Sequence, residues 1–114
     1  MKLYRMENMK GGWFVGNFEP SAHKTDEFEV SVKLHPAGEK WETHYHKIAR
    51  EINAIISGEM TLQNTRLVAG DVFVLEPSEI ADPVFHTDCT IVCVKTPCVK
   101  NDKFLIKKDT HETV

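Results

Sequence analysis

Residues 38 to 46 read Gly38-Glu39-Lys40-Trp41-Glu42-Thr43-His44-Tyr45-His46, with Glu51 and Gly58 following. This run decides the fold because it admits two readings. Trp41, Tyr45, Ile48, Ile52 and Ile55 recur at spacings of four, three, four and three, the period of an amphipathic helix. Gly58 would stop such a helix, and Lys47 and Glu51 would face one another a turn apart. Read instead as extended chain, His44 and His46 project to one side, since side chains alternate with period two. On a helix they would stand about 200° apart around the axis and could not share an ion. The strand reading and a shared metal site therefore stand or fall together. On the strand reading, two imidazoles and the nearby Glu51 carboxylate form a common ligand set for first-row divalent ions.

Outward from this run the chain reads as short extended pieces between turn signals, the pattern of a sandwich or barrel. Phe28, Val30, Val32 and Leu34 alternate with Glu29, Ser31, Lys33 and His35, as in a half-buried strand, and Pro36 and Gly38 punctuate it. Met60-Thr61-Leu62 and Thr65-Arg66-Leu67 flank Gln63-Asn64, a two-residue hairpin turn. Ala69-Gly70-Asp71 turns into Val72-Phe73-Val74-Leu75, which ends at Glu76-Pro77-Ser78 because proline cannot donate to a ladder. Thr90 to Val94 is β-branched and closes before Thr96-Pro97, Phe104-Leu105-Ile106 is a last short strand, and the polar tail of residues 107–114 is expected to fray.

Composition narrows the class. A chain of 114 residues, 41% hydrophobic and 27% charged, is expected to form one globular domain over residues 1–114. A net charge of −3 with mixed signs offers no basic stripe for nucleic acid and no polybasic membrane patch. The first residues lack the apolar stretch of a secretory signal, and no run reaches transmembrane length. Cys89, Cys93 and Cys98 are odd in number and form no CxxC pair, so reduced, partly buried thiols and a cytoplasmic location are expected.

The pattern Gly38, five residues, His44-Tyr45-His46, four residues, Glu51, six residues, Gly58 resembles the first motif of the cupin superfamily at every fixed position (residues 38–58). Gly70 to Pro77 resembles the start of the second motif (residues 70–86). The resemblance covers roughly residues 28 to 97 and implies an all-β, small antiparallel β-barrel or jelly roll with a pocket inside. It also implies that His44, His46 and Glu51 ligate one metal together with a histidine from motif two. Here the second motif departs from the pattern: Ser78 stands at the usual glycine, and the histidine position falls at Ala81, or at Asp82 if one residue is inserted. Asp82 is the expected fourth ligand, with His86 and then water as the alternatives. A turn residue is the competing reading of Asp82.

By alternation Glu51 and Asn53 are expected to face a polar lumen, with Met60 beside them, while Trp41, Tyr45, Phe73 and Phe85 serve as core or barrel wall. The resemblance implies a divalent metal (iron, manganese, nickel or zinc), a small-molecule ligand and a homodimer, with residues 11–18 as a dimer strand. Three functions follow. The first is a metal-dependent enzyme, an oxygenase or isomerase, acting on a small polar or carbohydrate-like molecule. The second is a non-catalytic small-molecule-binding module, and the third a metal-free structural barrel.

Overall fold

The computed structural model describes residues 1–106; the tail of residues 107–114 lies outside the described residues. Among the described residues a single 3-10 turn at Met6–Asn8 is followed by ten strands. These are β1 Trp13–Val15, β2 Glu29–His35, β3 His44–His46, β4 Arg50–Ser57, β5 Glu59–Leu62, β6 Thr65–Val68, β7 Val72–Leu75, β8 Val84–Phe85, β9 Cys89–Thr96 and β10 Lys103–Leu105. No helix among them is long and apolar enough to cross a membrane.

The helical reading of residues 41–55 is overturned. β4 is paired on both sides, by β7 and β9, so its backbone groups are satisfied by neighbours rather than along a helix. Ile48 and Ile52, which a helix would have buried in one stripe, are exposed, and Ile55 is buried. Long-range pairing has overridden a local period.

One wall of the fold is a five-stranded sheet in the order β1-β2-β9-β4-β7. The opposite wall combines the sheet β6-β5-β8 with the pair β10-β3, stitched by bridges from Lys40 to Val84 and from His44 to Ala81. All these pairings are antiparallel, and the result is a jelly roll. Gln63 and Asn64 carry φ of 49° and 57°, the left-handed pair that a tight hairpin between β5 and β6 requires.

The cross-strand rows of the large sheet reveal an unexpected sense of alternation. The rows facing the lumen are Glu29–Lys95–Glu51–Leu75, Ser31–Cys93–Asn53–Phe73, Lys33–Ile91–Ile55 and His35–Cys89. The central rows facing outward are Val30–Val94–Ile52–Val74 and Val32–Val92–Ala54–Val72, flanked by Leu34–Thr90–Ser57 at one end and Arg50–Thr96 at the other. On β2 the polar set is therefore inside: Glu29, Ser31 and His35 are buried, while Leu34 is 65% exposed. The usual arrangement, apolar inward and polar outward, is reversed. Ile55, Met60, Leu62, Leu75, Ala81, Phe85, Cys89 and Ile91 form the apolar core at one end of the barrel, and the polar rows take the other.

Gly58 sits between β4 and β5 with φ of 99°, and a Cβ there would collide with the Asp88 carbonyl oxygen and Cys89 Cα. Gly70 has a similar φ of 95° but open space around it. Gly70→Ala is expected to cost about 1 kcal/mol through backbone strain alone. Gly58→Ala should cost clearly more because backbone must also move. Thermal unfolding of the two variants side by side checks this ordering.

Candidate metal centre

β3 is three residues long, and its pleat sends His44 and His46 into the lumen while Tyr45 points outward. Tyr45 stacks on Phe104 of β10, with ring centres 5.5 Å apart. The two imidazoles lie 5.5 Å apart at 81° to one another. Glu51 reaches the same space from β4. One ligand atom from each of His44, His46 and Glu51 falls within 4.8 Å of the other two.

The tautomers are set by the backbone. His44 Nδ1 bonds the Glu42 carbonyl at 3.0 Å, and His46 Nδ1 bonds the Asp102 carbonyl at 3.0 Å. A carbonyl only accepts, so each Nδ1 carries a proton, and in the neutral ring Nε2 is left to present its lone pair. Burial lowers the pKa of His44, against the opposing pull of the Glu42 carbonyl bond, and the charges of Lys103 and His46 lower it further. Its neutral form, the one a metal needs, is therefore favoured. His46 Nε2 then faces Glu51 Oε2 at 3.5 Å with both side chains largely buried. Two acceptors confront each other, an arrangement that calls for a cation or a proton between them. The donor set fits a divalent first-row ion.

Asp102 was not foreseen. It is 4% exposed, and its carboxylate accepts hydrogen bonds from the backbone N–H groups of Lys47, Ile48 and Ala49 at 2.9 to 3.2 Å. Burial would raise its pKa, but these three donors, with the nearby His46, hold the carboxyl below its ordinary value. One residue thus fixes the β3–β4 connection through its side chain and the His46 ring through its carbonyl. In the sequence it sits in Lys100-Asn101-Asp102-Lys103, indistinguishable from any surface turn.

Asp82, the expected fourth ligand, is not in the group whose ligand atoms come together. Ala81 bridges His44 and lines the lumen, so the adjacent Asp82 must point the other way. Asp82 is exposed, and its Oδ1 accepts from the Gln63 backbone N–H at 2.7 Å, the turn role. His86 is turned outward by the same pleat next to buried Phe85, and its Nε2 lies 2.6 Å from Thr61 Oγ1. The motif-two histidine position is thus a lumen-facing alanine.

Around the group lies a cavity of about 240 Å³ lined by Ser31, Asn53, Met60, Phe73, Phe85 and Trp41 among others. Asn53 and Met60 are where alternation placed them; of the four aromatics Tyr45 alone is not a lining residue. Cys93 also faces in: its thiol lies 3.4 Å from Glu51 Oε1, and burial followed by the Glu51 charge pushes its pKa well up, so it stays protonated and donates. None of the three cysteines is in a disulfide.

The fold belongs to a known class. The fold is similar to that of an uncharacterized conserved protein with a double-stranded beta-helix domain from Klebsiella pneumoniae, with TM-score 0.65, 23% identity and 74% of each chain covered. It is similar to the polyketide cyclase RemF from Streptomyces resistomycificus, with TM-score 0.70 and 14% identity over 96% of this chain and 88% of that one. A cupin protein from Bacteroides fragilis matches with TM-score 0.55 and 23% identity over 76% of this chain and 75% of that one. No family model matches the sequence, and no curated protein matches it. The chain has the cupin fold, a small double-stranded β-helix.

Asp102→Asn keeps the shape but gives up the charge that three N–H donors serve. It is expected to cost about 2 kcal/mol at pH 7. Because the folded-state pKa of Asp102 is depressed, this contribution is present above about pH 4 and is lost as the pH falls through the folded value. Denaturant melts of the wild type and Asp102→Asn at pH 7 and pH 3 should therefore differ most at pH 7 and converge in acid.

Proposed function

We propose that the barrel holds one divalent cation on His44, His46 and Glu51 and binds a small polar molecule beside it. The observation that carries this reading is the buried confrontation of His46 Nε2 with Glu51 Oε2, with both histidines' Nδ1 atoms already engaged by carbonyls. Bound there, the ion supplies Lewis acidity toward an oxygen of the ligand. The chain does the rest. Asp102 and the Glu42 carbonyl orient the two imidazoles, as outer hydrogen bonds do for metal-ligating histidines. Ser31 Oγ, buried without a partner among the described residues, offers a hydrogen bond to the ligand. Phe73, Phe85, Met60 and Leu62 keep water from the inner end.

A metal-dependent oxygenase or isomerase is one use of such a site, and the likeness to a polyketide cyclase supports an enzyme on this fold. A non-catalytic binding module is the second reading, favoured by Ala81 in place of a fourth ligand. Iron, manganese, nickel and zinc all suit two imidazoles and a carboxylate.

Calorimetric titration of chelator-treated protein with Ni²⁺ tests the site. One ion per chain is expected, weakened at least about 100-fold in His44→Ala or Glu51→Ala. Affinity should also fall in acid as protons compete for the ligands, and burial of His44 moves its share of that loss to lower pH than for a free imidazole. Equal affinity in wild type and folded variants contradicts the reading.

A second copy of the chain covers the outer face of the large sheet. Its two central outward rows are wholly apolar, and Val72 is 67% exposed. Contiguous exposed apolar surface of this kind marks an interface. Residues 13–15, within the expected dimer strand, form the edge of this same sheet. Sedimentation at micromolar concentration should give a dimer of the 13.0 kDa chain that dissociates in Val72→Lys. A wild-type monomer contradicts it.

A further inference from the structure

Three lysines converge on the cavity that holds the His-His-Glu group, and two of them lack a carboxylate partner. Lys33 enters from β2, Lys95 from β9 and Lys103 from β10, and all three line the cavity. Lys95 is neutralised by Glu29 at 2.9 Å. Lys33 and Lys103 form no ion pair among the described residues. Instead both ammonium groups sit over one indole: Lys103 Nζ lies 4.5 Å from the Trp41 ring centre and Lys33 Nζ 5.7 Å from it. Lys33 Nζ also lies 4.8 Å from Trp13, which Lys95 Nζ approaches to 5.3 Å.

Of the carboxylates only Glu51 lines the cavity, so a single negative charge stands against Lys33 and Lys103. The space between the tryptophans is therefore left with a positive surplus even without metal, and with a larger one when a divalent ion engages Glu51. An empty cavity with such a surplus is electrostatically unfavourable, and an anion is the occupant that relieves it. The remaining wall, from Phe73, Phe85, Met60, Leu62 and Pro83, is apolar. It would be wasted on an inorganic anion and suits a carbon skeleton. The indoles meanwhile hold the ammonium groups in place by cation–π attraction.

We infer that Lys33 and Lys103, set against Trp41 and Trp13, form an anion subsite that takes the carboxylate of a small organic acid whose apolar body lies against Phe73 and Phe85. The inference deepens the proposed function, since such an acid is the ligand the cation site would meet. The subsite itself needs no metal. Burial, and after it the charges of Lys95 and Lys103, lower the pKa of Lys33, while Cys93 and Glu51 pull the other way. A bound carboxylate would restore what burial takes away.

Trp13 and Trp41 are the two tryptophans of the chain, so intrinsic fluorescence reports on this subsite alone. The experiment titrates chelator-treated, metal-free protein with mandelate, with its neutral isostere mandelamide, and with inorganic phosphate. Mandelate should give a saturable change, and mandelamide and phosphate should bind at least about tenfold more weakly. Lys33→Met and Lys103→Met, each checked for fold by circular dichroism, should each weaken mandelate at least about tenfold. Lys33→Arg, which keeps the charge, should recover most of the affinity. The inference is overturned by an absent response to mandelate, by equal binding of mandelamide or phosphate, or by unchanged affinity in both methionine variants. Because metal is withheld throughout, failure of the cation site leaves this result standing. The converse also holds: Ni²⁺ binding to His44, His46 and Glu51 can succeed where mandelate fails.

Discussion

The pleat of one strand sets the polarity of the whole barrel. Once Glu51 faces inward on β4, antiparallel pairing forces Lys95 and Glu29 inward beside it, and the next rows follow two residues at a time. A shift of one residue would turn every row over, hiding the valines and exposing Glu51, Asn53, Ser31 and Lys33 together. Inside-out alternation of this kind is stable only if the enclosed charges have partners. Lys95 with Glu29 and the carboxylate of Asp102 with three backbone donors meet that condition directly, while Glu51 against His46 meets it once a cation or a proton lies between them. The apolar cluster around Ile55, Met60 and Phe85 supplies the hydrophobic stabilisation that the polar end lacks.

Asp102 ties the two halves of this scheme together. It lies just before β10, pairs through that strand with β3, and holds the backbone that leads from β3 into β4. His46 and Glu51, five residues apart across that connection, depend on it for their relative placement. A site built on two strands and a capped loop is pre-formed rather than assembled on binding, which keeps the ordering cost of a ligand low.

Much of this was legible in the chain. The residues around His44 and His46 left strand and helix open until the cupin resemblance favoured the strand, and Gln63-Asn64, Gly70 and the β-branched run at 90–94 placed their turns and strands correctly. What the sequence concealed was of two kinds. A period of two shows that a strand has two faces without saying which is inside, so the alternation of β2 could not tell that Ser31 and His35 face the lumen while Val30 and Val32 face outward. The same ambiguity placed Asp82 in the lumen instead of Ala81, its neighbour on the opposite face. The other kind was distance along the chain: nothing near Asp102 announces that it caps residues 47–49, fifty-odd positions earlier.

The account turns on a cation lying between His44, His46 and Glu51. Anomalous diffraction from crystals grown with cobalt tests this most directly. The account predicts one strong peak per chain, enclosed by those three side chains and absent from His44→Ala crystals. Peaks confined to surface carboxylates, with the lumen empty in a folded wild-type protein, would contradict it.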